Sequence, residues 1–206
     1  MGFLDILKKI TDTALNSKPT EAKSASKPQN TAKKPAPTLK TPQEIVESGN
    51  TPPKSPFLHK DEFGDKEYSF MISGDFVEFN SHCEVMPSFQ YEPFNDDDYT
   101  EYNELLPIIG IGPNDDIYCA VEEYEENGTL PDENYEECDS EYFAFRCSFK
   151  AYNRKYYAYG FRSNTARELE MLSVDYLPDI EGTPLENKLK AALDEIALSY
   201  SENTMN

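Results

Sequence analysis

Residues 142–162 read YFAFRCSFKAYNRKYYAYGFR, and the rest of the chain is best understood from this stretch outward. Nine of its 21 residues are aromatic, and it holds Arg146, Lys150, Arg154, Lys155 and Arg162 with no acid until Glu168. Residues 61–145 carry 25 Asp or Glu against a single lysine, Lys66. Phe143, Phe145, Cys147, Phe149 and Ala151 alternate with Ala144, Arg146, Ser148 and Lys150, the period-two pattern of a strand with one buried face. Tyr157, Tyr159 and Phe161 alternate with Ala158, Gly160 and Arg162 in the same way. The pattern predicts a hairpin. A loop of three or five residues centred on Arg154 sets Phe149 opposite Tyr159 and Cys147 opposite Phe161, whereas an even loop mixes the two faces. The same register sets Arg146 opposite Arg162, a like-charge pair that is unfavourable by itself. Acids from neighbouring elements should therefore flank the ribbon, and Glu122 is the predicted partner of Arg146 or Arg162.

Charge is divided along the chain. Residues 1–60 hold ten Lys and five acids, and residues 61–206 hold nine Lys or Arg and 34 acids, so +5 and −25 sum to the net −20. A strongly acidic domain repels nucleic acid and anionic membranes and favours a basic protein surface as partner.

Three segments are expected: an amphipathic helix over 1–16, a flexible linker rich in Pro, Lys, Ser and Thr over 17–56, and an acidic α+β domain over 57–206. In the first, Phe3, Leu7 and Ile10 share a face with Ala14. A helix this short is marginal alone in water and needs a surface to fold on. A groove on a partner protein suits it better than a membrane, because its basic residues are only Lys8 and Lys9 and the chain has no Trp. The linker gives a reach of about 35 Å. Within it, Thr41-Pro42-Gln43-Glu44 is a capping box with Pro at the first helical position, read as a nascent helix with too few apolar residues to hold itself. Ile6 stands where N-myristoylation needs Ser or Thr, and no basic region precedes an apolar run. Cys83, Cys119, Cys138 and Cys147 lack close pairing, which suggests free thiols in a reducing, cytoplasmic setting without disulfides.

In the domain, Tyr68–Phe79 reads as a hairpin turning at Ser73-Gly74-Asp75, Cys83–Tyr91 as a strand, and Leu105–Ile111 as an apolar strand before a Pro113-Asn114-Asp115-Asp116 turn. Ile117–Tyr124 alternates and is predicted as a strand closed by Asn127-Gly128. Thr165-Ala166-Arg167-Glu168 is a second capping box, expected to open a short helix carrying Leu169 and Leu172. Thr183-Pro184-Leu185-Glu186 is a third. It opens a helix whose stripe is Leu185, Leu189, Ala192, Leu193, Ile196 and Tyr200. The expected fold is α+β: a mostly antiparallel sheet of five to seven strands with C-terminal helices on one face.

Little catalytic chemistry is legible. His59 and His82 have no nucleophile in a recognisable triad context, and there is neither a phosphate-binding loop nor a dinucleotide fingerprint. No cofactor is expected. Cys119 and Cys147 fit inward strand positions as small apolar residues better than zinc-ligand positions. Asn95-Asp96-Asp97-Asp98 and Asp132-Glu133-Asn134 have the composition of calcium loops, but Glu101 and Glu137 stand where an EF-hand needs Gly. Solvated acidic loops are the expectation, with Asp96, Asp97 and Asp98 offered to a basic partner. Lys155-Tyr156-Tyr157-Ala158-Tyr159 partly resembles the base-stacking RNP1 motif of RNA-recognition domains. Tyr156 replaces its Gly, Gly160 an aliphatic residue and Arg162 an aromatic, and a −25 domain opposes phosphate. Leu106-Pro107 to Asp116-Ile117-Tyr118 resembles the strand–turn–strand of SUKH-type immunity proteins without their glycine run, and no membership follows. The favoured expectation is a noncatalytic protein that binds a basic surface. The alternative is a carboxylate enzyme, with or without a divalent metal, whose site would be a cleft where several acids converge.

Overall fold

The structure, a computed structural model, describes residues 41–79, 87–91, 104–164 and 169–204. Phe3, Leu7, Ile10, His82, Cys83, Asp96, Asp97, Asp98 and the Thr165–Glu168 capping box lie outside the described residues. In chain order the elements are α1 (Pro42–Glu47) with a 3-10 turn over Ser48–Asn50, β1 (Phe57–Phe63), β2 (Lys66–Ile72), β3 (Phe76–Phe79), β4 (Ser88–Tyr91), β5 (Ile108–Gly112), α2 (Asp115–Asn127), β6 (Tyr135–Glu137), β7 (Phe143–Ala151), β8 (Arg154–Phe161), β9 (Met171–Tyr176), α3 (Pro184–Ser199) and β10 (Ser201–Thr204). A seven-stranded sheet runs β3-β4-β5-β9-β8-β7-β6, and a second sheet runs β1-β2-β10. Every pairing is antiparallel. The fold is α+β and mostly antiparallel, as the sequence indicates.

α3 forms as its caps and stripe predict. Thr183 Oγ1 accepts from Glu186 N, while the Glu186 carboxylate accepts from Gly182 N and from the Tyr176 hydroxyl. Leu185, Leu189, Leu193 and Ile196 are completely buried. At about 1.5–3 kcal/mol each, their burial outweighs the ordering cost that leaves an isolated helix of this length marginal. α3 lies against β2 of the small sheet and β8 and β9 of the large one, joining both sheets in one core with Tyr68, Phe70, Phe89, Val174 and Tyr200.

The ribbon of residues 142–162 is the β7–β8 hairpin, in a different register from the odd-loop expectation. Tyr152 and Asn153 form a two-residue turn, both at positive φ (49° and 59°), as a type I′ turn requires. Phe149 faces Tyr156, Cys147 faces Ala158 and Arg146 faces Tyr159, not Arg162. A bulge at Ala144 shifts the register between Phe143 and Phe145. Phe143 thereby joins the core under α3 and Phe145 the cluster under α2. An even loop does mix the two faces, and each face has apolar cover over part of its length, from α3 on one side and α2 on the other.

Ile117–Tyr124, expected as a strand, is the middle of α2. The residues that cover the sheet are Ile117, Ala120 and Val121 with half-buried Tyr124, spaced three and four apart. Asn114 caps the helix by accepting from Ile117 N at 3.0 Å, and Asp115 and Asp116 suit the positive end of its dipole. Gly128, at φ 67°, ends it with its N–H on Tyr124 O. Gly160 lets α2 come close, since a Cβ there would meet Val121 Cγ2 at 2.8 Å. Cys119, expected inward, is exposed.

Three further expectations are corrected. The turn at Ser73–Asp75 exists, but β2 and β3 do not pair across it; the chain passes there from the small sheet to the large one. Leu172 lies on β9, an interior strand between β5 and β8, and Leu169 precedes it in irregular chain, so neither is helical. The Thr41 capping box closes in both directions, and α1, read as a nascent helix in the linker, buries Ile45 in the main core.

Candidate functional site

All five cations of the hairpin have carboxylate partners. Arg146 pairs with Glu136 on β6, Arg154 with Asp175 on β9, Arg162 with Glu125 on α2, and Lys150 and Lys155, opposite one another, share Glu181. Acids from neighbouring elements flank the ribbon as expected, but Arg146 and Arg162 are met by Glu136 and Glu125 instead of Glu122, which accepts from the Tyr118 hydroxyl. Arg154 also donates to the carbonyls of Glu104, Leu106 and Asp175 at 2.6, 2.9 and 3.2 Å, fixing the approach to β5. Burial raises the Asp175 pKa against the lowering effect of Arg154.

Beyond this paired ribbon lies the acidic surface. Residues 115–141 contain twelve Asp or Glu and no Lys or Arg, and all twelve are exposed. Asp115, Asp116, Glu122, Glu123, Glu125 and Glu126 come from α2, whose apolar residues are turned to the sheet. Asp132, Glu133, Glu136, Glu137, Asp139 and Glu141 come from β6 and its flanking loops. β6 is a sheet edge, three residues long and charged, which discourages strand addition there. Among the described residues, Glu125 and Glu136 are the members of the twelve that form ion pairs. The Tyr124 hydroxyl titrates above the ordinary tyrosine value, chiefly through its hydrogen bond to Glu137.

Of the strand aromatics that resemble a base-stacking motif, Tyr157 and Tyr159 are covered, and half-buried Tyr156 stacks on Phe149 with ring centroids 4.8 Å apart. Tyr157 and Tyr159 are 8% and 7% exposed under α3, and both hydroxyls donate to Asp194 Oδ1, at 2.8 and 2.7 Å. His59 is buried against Phe70 and Phe89, with ring centroids 5.0 Å from each. Among the described residues no group of three or more His, Cys, Asp or Glu is placed to hold a metal ion, and no helix is long and apolar enough to cross a membrane. Asp132 accepts from Asn134 N at 2.7 Å in an ordinary turn.

A cleft of about 350 Å³ opens between the chain at Gly49–Pro53, the Ser73–Phe76 turn and α3. It contains two acids, Asp75 and Glu195, and Asp75 is paired with Lys188 at 3.0 Å. That is not the convergence of acids a carboxylate enzyme would use. Sequence reasoning missed Lys188 and Asp75. One signal was present: Lys188 stands three residues after Leu185 and four before Ala192, at the margin of the apolar stripe, where a lysine is drawn into the fold.

No family model, curated protein or solved structure matches this chain.

Proposed function

We propose that this chain is a noncatalytic interaction protein whose acidic domain binds a basic protein surface, with an N-terminal docking helix tethered to it. The observation that carries the reading is the α2–β6 surface, where ten of twelve exposed carboxylates have no ion-pair partner among the described residues. Such a field raises encounter rates with a cationic partner and sets orientation more than it sets affinity. As part of the same proposal the protein works in the cytoplasm; Cys119, Cys138 and Cys147 are free thiols. The burial of Tyr157 and Tyr159 and the surplus of acid both weigh against polynucleotide partners, and the docking helix is assigned to a protein groove over a membrane.

The test compares the full chain with a variant carrying Asp115→Asn, Asp116→Asn, Glu122→Gln, Glu123→Gln and Glu126→Gln as baits in the native host. The parent should capture basic proteins that are released as salt rises from about 0.1 M to about 0.5 M. The variant should bind the same purified partner more weakly, by about tenfold or more, mainly through a slower on-rate. Equal capture by both baits would show that the acidic surface is not the binding surface.

A further inference from the structure

The cleft beside α3 is built around an ion pair that its own neighbours leave incompletely used. The side chains of Lys188 and Asp75 are 9% and 3% exposed and lie 3.0 Å apart. Lys188 Nζ also donates to the Tyr91 hydroxyl at 3.3 Å, over that ring at 5.5 Å from its centroid. The Tyr91 hydroxyl in turn shares a 2.8 Å hydrogen bond with Ser48 Oγ. Burial disfavours the Lys188 ammonium, but the hydrogen bonds to Asp75 and Tyr91 prevail and raise its pKa. On the other side, Asp75 Oδ2 accepts from Lys54 N at 3.2 Å and from Ser73 Oγ at 3.3 Å. An ammonium has three N–H groups, and the partners of Lys188 account for two. Oδ1 of Asp75 accepts no hydrogen bond among the described residues. One donor of Lys188 and one acceptor of Asp75 are thus left without a partner among the described residues, on two side chains that line the cleft.

A buried ion pair is a poor stabilising device, since apolar residues of like volume serve as well or better. Stability alone does not explain why this pair lines an open cleft. Its charges cancel, so the floor suits a neutral group presenting an acceptor to Lys188 next to a donor to Asp75. A carboxylate would face Asp75 and Glu195, and an ammonium would face Lys188. The walls include Pro53, Phe76, Ala191 and Ala192, apolar side chains of the kind that an uncharged ring packs against. The volume lies at the small end of ligand pockets. We propose that this cleft binds a small ring compound bearing a neutral amide or lactam edge, the chemistry shared by aryl amides and nucleobases. Lys188 and Asp75 read that edge. The inference is independent of the acidic surface, which lies on other elements.

The experiment is saturation-transfer NMR on the full chain with benzamide as probe and toluene, benzoate and benzylammonium as controls. Benzamide should bind about tenfold more tightly than each control, the worth of one or two added hydrogen bonds. Ala191→Trp, at an exposed rim position, should abolish benzamide binding while leaving the thermal midpoint unchanged. Lys188→Met should reduce the preference for benzamide over toluene to near unity. Absence of saturation, equal binding of toluene, or undiminished binding by Ala191→Trp would each overturn the proposal.

Discussion

Cys147 shows at the scale of one side chain how burial sets chemistry. It sits between Phe145, Ala158 and α2, and burial above all pushes its thiol up from 9.0 to about 12, with Asp132 and Cys138 adding to the rise. Burial likewise raises Cys138 to about 11 against the pull of Arg146 and Arg162. A group whose pKa is higher when folded holds its proton more tightly in the native state. Its contribution to stability is complete below the unfolded value and is lost as pH climbs toward the folded one. For Cys147 that window opens at pH 9.0 and extends to about 12, with a limiting slope of about 1.4 kcal/mol per pH unit. Tyr157, raised to about 12 by burial and then by Asp194, adds its own loss from pH 10.0 upward. Urea unfolding followed from pH 8 to 10 should show stability falling more gently in Cys147→Ala than in the parent. Equal slopes would mean the thiol is not buried as described. At this scale the sequence allowed the neutralisation of Arg146 and Arg162 to be anticipated, from their isolation in an acidic chain. Their partners depended on which element each acid finally occupied.

Among elements, α2 and the β7–β8 turn are the instructive cases. Ile117, Cys119 and Val121 satisfy period two, while Ile117, Ala120, Val121 and Tyr124 satisfy the helical period, so eight residues support both readings. The decisive signals were at the ends: an Asn-Asp-Asp start and a Gly stop, which are helix punctuation. At the turn, Tyr152 and Asn153 occupy left-handed backbone with Tyr152 92% exposed. A tyrosine there gains nothing from packing and carries the steric cost of its Cβ. Replacing the pair by Asn-Gly (Tyr152→Asn with Asn153→Gly) should stabilise the protein by about 1 kcal/mol, read as a higher urea midpoint at unchanged slope. A lower midpoint would argue against the two-residue turn and return the hairpin to the odd-loop register.

For the molecule as a whole, the telling contact is made by α1. Six residues with a closed capping box do not persist as a helix unaided, yet Ile45 is 2% exposed in the main core and Ser48 Oγ reaches the Tyr91 hydroxyl. Ile45→Ala should therefore cost about 2–5 kcal/mol, measured by chemical unfolding, a loss no residue of a free linker could cause. A change below about 0.5 kcal/mol would remove α1 from the folded body. The amino-acid sequence by itself determined the α+β class, α3 with its stripe, a turn at Ser73–Asp75, the pairing of the two halves of the 142–162 ribbon though not its loop, and the need for acids around a cationic ribbon. Each follows from local periodicity, caps or a charge imbalance that any fold must satisfy. Tertiary structure alone decided the hairpin register, the interior place of β9, the attachment of α1 and the meeting of Lys188 with Asp75. Those depend on which faces are covered and by what, and burial on both sides of a sheet erases the alternation from which a one-dimensional pattern is read.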